Sequence, residues 1–137
     1  MKIVVRGLDQ LNRKLENISR DIQPTLRKAT EKAVLYAHGQ VPEYPAPPDG
    51  STYKRTGTLG REIGTEVREL GREIVGVLGT TTVYAPWVIS SEAIGNRGPQ
   101  ARVHKGRWYT LQGVVIKAKD GIVKIYEKAI RDLIKGD

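Results

Sequence analysis

The spacing of apolar residues near the centre of the chain constrains the fold most. In the segment REIGTEVREL, Ile63, Thr65 and Val67 alternate with polar residues, a period of two that is typical of a half-buried β-strand. The segment EIVGVLG at residues 73–79 predicts a second strand, buried on both faces. The break between the strands, at Leu70-Gly71-Arg72, is short, and glycine takes the positive φ of a tight antiparallel connection. We therefore expect a β-hairpin here.

Two further segments are predicted to extend this hairpin into a meander. A third strand is expected from Thr80 through Tyr84, ending where Pro86 removes a backbone donor. An opening strand is expected at residues 2–6, where the apolar run KIVVR contains β-branched residues and is followed by Gly7. The predicted sheet is an antiparallel β-meander of three to four strands.

Two N-terminal helices are predicted before the sheet. The first has apolar residues spaced three or four apart, which is the stripe of an amphipathic helix. Proline is tolerated in the first turn of a helix, so a second helix is expected from Pro24 to His38 or Gly39. The first stripe comprises Leu8, Leu11, Leu15, Ile18 and Ile22, and the second comprises Leu26, Ala29, Ala33 and Tyr36 or Ala37.

One C-terminal helix is predicted after the sheet. An amphipathic helix of about four turns is indicated by the apolar residues Ile122, Tyr126, Ala129 or Ile130, and Leu133. Asp120 is expected to cap its N-terminus. The segment LQGVVI at residues 111–116 is predicted to be a short helical turn rather than a strand. The fold class is therefore α+β, with the meander covered by two N-terminal helices and one C-terminal helix.

The length of the chain and its prolines set the domain organisation. We expect a single domain over residues 1–137, because this length suits one hydrophobic core. A Pro-rich loop or arm is predicted at residues 41–56, where proline interrupts both helix and central strand. A second irregular tract is predicted as a basic loop at residues 90–107.

Composition excludes several classes of site and favours an anionic partner. The chain has no cysteine, which excludes disulfides, thiolate metal sites and cysteine nucleophiles. No apolar run approaches the roughly 20 residues of a membrane span, and the N-terminus lacks the apolar core of a signal peptide, so we expect a soluble protein that is not exported. The net charge is +8, from 23 Lys and Arg against 15 Asp and Glu. Such a charge favours an anionic partner or non-specific affinity for nucleic acid.

The residues that most often carry chemistry form no recognisable pattern. His38 and His104 lie in different regions, and neither has a second ligand at metal spacing. The glycines Gly57, Gly60 and Gly64 lack the strand, helix and Lys-Ser or Lys-Thr of a phosphate-binding loop. The residues therefore nominate no catalytic, cofactor or metal site, although an acid-base pair brought together in one pocket leaves a small enzyme open as a third hypothesis.

A basic cluster with adjoining aromatic residues is the strongest candidate for an interaction site. Four cations and no acid lie between residues 97 and 111, and two aromatic residues adjoin them. Such a set can neutralise phosphates and stack on bases, or it can form a protein interface. A third possibility is that Trp108 packs into the core. The candidate residues are Arg97, Arg102, Lys105, Arg107, Trp108 and Tyr109.

Several short motifs, taken in order, resemble a family of phage proteins. These motifs are TGTL at residues 56–59, a hairpin, YAPWV at residues 84–88 and HKGRWYTL at residues 104–111. Together with the opening helix, the Pro-rich loop and the closing helix, they resemble the tail-component family of long-tailed double-stranded DNA phages and prophages. Its members are also described as tail-completion, neck or head-tail joining proteins. The resemblance covers nearly the whole chain.

The resemblance implies a non-enzymatic structural protein of the virion. Such a protein would be made in the host bacterial cytoplasm and would act at the head-proximal end of the tail, often as a sixfold ring. Its implied partners are further copies of itself, the tail tube protein, the head-connector protein and, through non-specific contact, packaged DNA, with no membrane. Many family members have a glutamate shortly after Tyr-Ala-Pro, whereas this chain continues with Trp87, Val88 and Ile89. Trp87 is a further candidate interface residue.

The residues themselves leave an alternative function open. The basic loop and its aromatic residues, positions 97–109, would suit a nucleic-acid-binding module. Its affinity would fall steeply as salt rises, because binding would release counterions from phosphates. A structural ring subunit would bind DNA only weakly and without sequence preference.

Overall fold

A computed structural model describes residues 9–52 and 57–136, without the side chains of residues 9–15. Within these ranges the elements are α1 (Asp9–Gly39), α2 (Thr58–Arg61), β1 (Gly64–Leu70), β2 (Glu73–Gly79), α3 (Ala85–Ile89) and α4 (Leu111–Lys135). Helix α1 packs against α4 and against both strands. The fold class is α+β, as predicted, and the predicted opening strand at residues 2–6 lies outside the described residues.

One helix, α1, replaces the two N-terminal helices that the sequence predicts. It runs for 31 residues with Pro24 inside it. Proline removes one helical hydrogen bond, but Pro24 is exposed, so water can satisfy the carbonyl that loses its partner. The apolar stripe also stays in phase across the proline, from Ile22 to Leu26. The buried end of the stripe is Ala37, whereas Tyr36 is 38% exposed.

Helix α4 begins nine residues before the predicted cap at Asp120, so that prediction is wrong. Thr110 caps the helix, because its hydroxyl accepts a hydrogen bond from the Gly113 backbone N–H at 3.1 Å. Residues 111–116 are helical, in agreement with the predicted helical turn. Val114 and Ala118 are buried, so the buried apolar stripe of α4 already begins upstream of Asp120.

The predicted hairpin is present, with Gly71 at φ 63° in its turn. In the register, Val67 lies opposite Gly76 and Glu69 lies opposite Ile74. This face packs against α1, where Glu69 forms an ion pair with Arg27. The apolar residues of β2 are half-buried rather than fully buried, because the sheet has two strands and α1 packs against one of its faces.

The predicted third strand is absent from the described part of the chain, where the sheet has two strands instead of three to four. Residues 80–82 are irregular, and Thr80 Oγ1 accepts a hydrogen bond from the Thr82 N–H at 3.2 Å. This local bond competes with strand pairing. Pro86 then lies in the first turn of α3, where its missing N–H has no cost.

The core has two parts. Between α1 and α4 it consists mainly of small residues, and Thr30 joins the helices because its hydroxyl lies 2.6 Å from that of Tyr126. The second part lies under α2 and α3 and consists of Leu59, Ile63, Ala85 and Ile89. Half-buried residues surround this second part, namely Val41, Tyr44, Leu78, Val88, Trp108, Tyr109 and Leu111. The candidate residues Trp108 and Tyr109 therefore pack against this second part of the core.

Candidate functional site

Gln100 organises the basic loop, residues 90–107. Its side chain is buried, and its amide nitrogen donates to the carbonyl oxygen of Val88 at 2.6 Å and to that of Trp108 at 3.2 Å. Its backbone N–H donates to the carbonyl oxygen of Ser90 at 2.7 Å. One residue thus joins α3 to both ends of the loop, with its side chain bonded to Val88 and Trp108 and its backbone bonded to Ser90. A buried amide with several acceptors fixes a loop, because breaking it leaves polar groups unsatisfied.

Additional hydrogen bonds attach the loop to α3 and α4. The Ala101 N–H donates to the carbonyl oxygen of Trp87 at 2.7 Å. At the other end, the Gln112 side chain donates to the Ser90 hydroxyl at 3.1 Å and accepts from the Ser91 N–H at 3.0 Å. The loop is therefore ordered by polar contacts, although it contains neither helix nor strand.

Trp108 is the centre of an aromatic cluster. Its ring centroid lies 5.0 Å from that of Tyr44 and 6.2 Å from that of Tyr109, and the His104 ring meets its ring at 80°. Trp108 also packs against the core under α2 and α3. Of the three possibilities that the sequence left open for Trp108, packing against the core is the one with direct contacts in the structure.

The two tyrosines of this cluster differ in their polar contacts. The Tyr44 hydroxyl accepts a hydrogen bond from the Gly60 N–H at 2.6 Å, which attaches the Pro-rich loop to α2. The Tyr109 hydroxyl is buried and has no hydrogen-bond partner among the described residues. Burial, and to a lesser extent the neighbouring Tyr44, raises the pKa of Tyr109. The Tyr109 side chain is therefore neutral at physiological pH.

The four loop cations differ in their surroundings. Arg107 donates to the carbonyl oxygen of Ala46 at 3.2 Å and so joins the basic loop to the Pro-rich loop. Arg97 is half-buried, whereas Arg102 and Lys105 are exposed. The structure brings Arg107 and Trp108 together, but in the described ranges it shows no contact that links the other cations to them.

Two concave surfaces lie near α3. The first, the loop cavity, has a volume of about 370 Å³ and lies between the Pro-rich loop and the basic loop. The second, the helix groove, has a volume of about 510 Å³ and lies between α3 and the start of α4. The loop cavity is lined by Tyr44, Pro48, Ser51, Gly57, Thr58, Leu59, Tyr84, Val88, Val103, His104, Arg107 and Trp108. The helix groove is lined by Leu78, Gly79, Thr80, Ala85, Pro86, Ile89, Ser90, Ile94, Leu111, Gln112, Val115 and Ile116.

Helix α3 separates the two surfaces. Tyr84 and Val88, four residues apart, line the loop cavity, whereas Ala85 and Ile89, also four residues apart, line the helix groove. The two linings as given above have no residue in common. Trp87 lies on the same short helix and is 40% exposed, so this candidate residue is accessible, but it belongs to neither lining.

Large apolar side chains are exposed on both surfaces. Val103 in the lining of the loop cavity is 67% exposed, and Ile116 in the lining of the helix groove is 72% exposed. Sequence reasoning missed the helix groove because its residues come from three separate segments. It also missed Gln100, since a single glutamine in a loop carries no periodic signal.

The described residues define a small α+β protein with two apolar concavities. Among them, no group of three His, Cys, Asp or Glu side chains is placed to hold a metal ion. No helix in the described ranges is both long and apolar enough to cross a membrane. Comparison of the chain with protein-family models, with curated proteins and with solved structures finds no match.

Proposed function

We propose that this protein is a non-enzymatic structural subunit of a phage virion, of the tail-completion or head-tail joining class. In this proposal it forms a ring, hexameric in the simplest case, at the head-proximal end of the tail. The tail tube protein and the head-connector protein are its neighbours above and below the ring. The protein is made in the host cytoplasm and functions in the virion.

The observation that supports a ring is the pair of different apolar surfaces on the two sides of α3. A ring is built from heterologous contacts, in which one surface of each subunit meets a different surface of the next. A twofold dimer needs only one self-complementary surface. Because the loop cavity and the helix groove have separate linings, the subunit has the two unlike surfaces that a closed ring requires.

The side chains at these surfaces suit protein contacts. Tyr84, in the lining of the loop cavity, is 45% exposed, and Trp87, on α3 but in neither lining, is 40% exposed. Tryptophan, tyrosine and arginine are the residues that most often dominate binding energy at interfaces. Arg107 lies in the lining of the loop cavity beside Trp108. The loop cavity therefore offers aromatic and arginine side chains and the helix groove offers aliphatic ones, so each can pack against a different part of a neighbouring subunit.

Light scattering on the purified protein over a concentration series tests this proposal. We expect a discrete species close to six subunits. Val103→Lys places a charge in the loop cavity, and Ile116→Lys places one in the helix groove, so each variant should be monomeric. Leu35→Lys is the matched control, because Leu35 is 62% exposed on α1 and lines neither surface.

Mixing the two variants separates a ring from a twofold dimer. Each variant retains one intact surface, so a mixture of Val103→Lys and Ile116→Lys should form heterodimers and nothing larger. A twofold dimer that one substitution disrupts would not be restored in this way. A wild-type protein that stays monomeric at all concentrations, or a mixture that stays monomeric, contradicts the ring.

A further inference from the structure

Helix α4 presents a line of positive charge to solvent. Five exposed cations follow one another at intervals of seven, four, three and four residues. At about 100° per residue they fall within a sector of about 60° around the helix axis. This basic stripe consists of Lys117, Lys124, Lys128, Arg131 and Lys135.

Helix α1 adds two cations beside the basic stripe. Lys28 and Lys32 line the same groove between α1 and α4 as Lys128, and both are exposed. The groove also contains Asp21, whose carboxylate lies 3.4 Å from Arg20, and Asp132. The positive surface is therefore built by two helices that pack against each other, not by a flexible segment.

Most cations of the basic stripe lack an acidic partner. Lys128 pairs with Asp132 at 2.6 Å, and in the described part of the chain no other member has a carboxylate within 4 Å. The Lys128 hydrogen bond, together with the charges of Lys128, Lys135 and Arg131, holds the pKa of Asp132 below its ordinary value. Asp132 therefore experiences several cations of the stripe at once.

Two further acids lie near the basic stripe but outside it. Asp120 and Glu127 fall about 50° to 70° from its centre at 100° per residue, on the side away from the α1 contact. The stripe thus has Asp120 and Glu127 on one side, and Asp132 together with the lysines of α1 on the other. Acids on both sides restrict where a polyanion can lie and align it along the helix.

We propose that the basic stripe binds duplex nucleic acid through its phosphates. From Lys117 to Lys135 it extends over about 27 Å at 1.5 Å per residue, the length of about eight base pairs of B-DNA. Lysine and arginine on a rigid helix neutralise phosphates and carry no base information. Binding is therefore independent of sequence and decreases with salt.

A membrane surface fits these residues less well than nucleic acid. Helices that lie in a membrane interface bury an apolar face between their cations. On α4, Val114 and Ala118 are buried, and the exposed apolar residues include Val123 and Ile134. At 100° per residue, Asp120 and Glu127 lie between these exposed residues and the basic stripe, so an anionic membrane that contacted both would also meet two carboxylates. The proposal is independent of the ring, because it concerns a surface that the isolated protein already presents.

Fluorescence anisotropy with a labelled duplex of roughly 20 base pairs and arbitrary sequence tests the proposal between about 50 and 200 mM salt. The stripe variant carries Lys124→Gln, Arg131→Gln and Lys135→Gln. Its matched control, the loop variant, carries Arg97→Gln, Arg102→Gln and Lys105→Gln, so the net charge falls equally in both. Glutamine is a good helix former, and circular dichroism checks that α4 is retained.

We expect the stripe variant to bind at least tenfold more weakly than wild type at low salt. The slope of log K against log salt should become shallower by about 0.9 for each phosphate that is no longer neutralised, or about 2.7 in all. The loop variant loses the same net charge as the stripe variant, and this loss weakens binding by both proteins equally. Beyond that common effect, the affinity of the loop variant should stay within about twofold of the wild-type affinity. Lys124→Arg with Lys135→Arg should bind like wild type.

Three results would overturn the proposal. The first is a loop variant whose affinity falls as far as that of the stripe variant, which would assign binding to the basic loop. The second is a wild-type protein that does not bind the duplex at low salt. The third is binding to anionic phosphatidylserine vesicles, measured by co-sedimentation, without binding to the duplex.

Discussion

Gly76 lies where β2 packs closely against α1, and its replacement tests this packing of the hairpin against the helix. A Cβ at this position would lie closer than 3.0 Å to Val34 Cγ1 and at 3.0 Å from Thr30 Cγ2. Real Cβ atoms essentially never come closer than 3.0 Å to such neighbours. Both neighbours are buried side chains on α1. Gly76→Ala therefore forces the strand or the helix to move.

The expected cost of Gly76→Ala follows from the packing around it. Overpacking a dense core typically costs about 1 to 3 kcal/mol, and the clash here is with a branched side chain held by the helix backbone. We expect the free energy of unfolding to fall by about 2 to 3 kcal/mol, and Tm to fall by roughly 10 °C. Urea unfolding followed by circular dichroism measures the change.

Two comparison variants make this result interpretable. Gly79→Ala is the matched control on the same strand, because its Cβ would meet only Val77 Cγ1 at 4.0 Å, and it should change stability by less than about 0.5 kcal/mol. Val34→Ala removes the nearest obstructing atom, so the double variant with Gly76→Ala should be more stable than Gly76→Ala alone. If Gly76→Ala is as stable as Gly79→Ala, β2 does not lie against α1 in the way the structure shows.

Three other substitutions test other contacts. Gly121→Ala should change the free energy of unfolding by less than about 1 kcal/mol in urea unfolding, because its Cβ would meet only the far end of the Tyr36 ring and alanine favours the helix. Gln100→Ala should cost about 2 to 3 kcal/mol and should speed tryptic cleavage within the basic loop, whereas unchanged cleavage would contradict its anchoring role. Lys128→Gln should raise the pKa of Asp132 toward its ordinary value in a carboxyl NMR titration. In the wild type, the stabilisation from this pair is present at neutral pH and disappears as pH falls through the lowered pKa of Asp132.

The sequence predicts the hairpin and the fold class because period-two alternation and a glycine turn are local signals. It fails at Pro24 and Pro86, where the local signal is ambiguous. Proline can begin a helix or interrupt one, and the packing of α1 against α4 and the hairpin decides the first case. At Pro86, the chain forms the short helix α3, and the described part of the sheet has no third strand for these residues to join.

The candidate site is harder to predict than the fold. Trp108 is visible in the sequence as an aromatic residue beside cations, but its contact with Tyr44 joins two loops that lie 64 positions apart. Gln100 carries no pattern at all. The basic stripe does have a helical spacing, but a helix thought to start at Asp120 excludes Lys117 and shortens the line of charge.

The pairing of α1 with α4 has a consequence for synthesis of the protein on the ribosome. The buried face of α1, which includes Ala29 and Ala33, is complete when residue 39 has been added, whereas its partner α4 extends to Lys135. At 5 to 20 residues per second, α1 waits about 5 to 20 s for α4. During this interval its apolar face is open to chaperones and to the α4 helix of another nascent chain. Pairing with that other helix would exchange α4 between two copies, so slower translation of residues 40–110 should increase the yield of exchanged dimers.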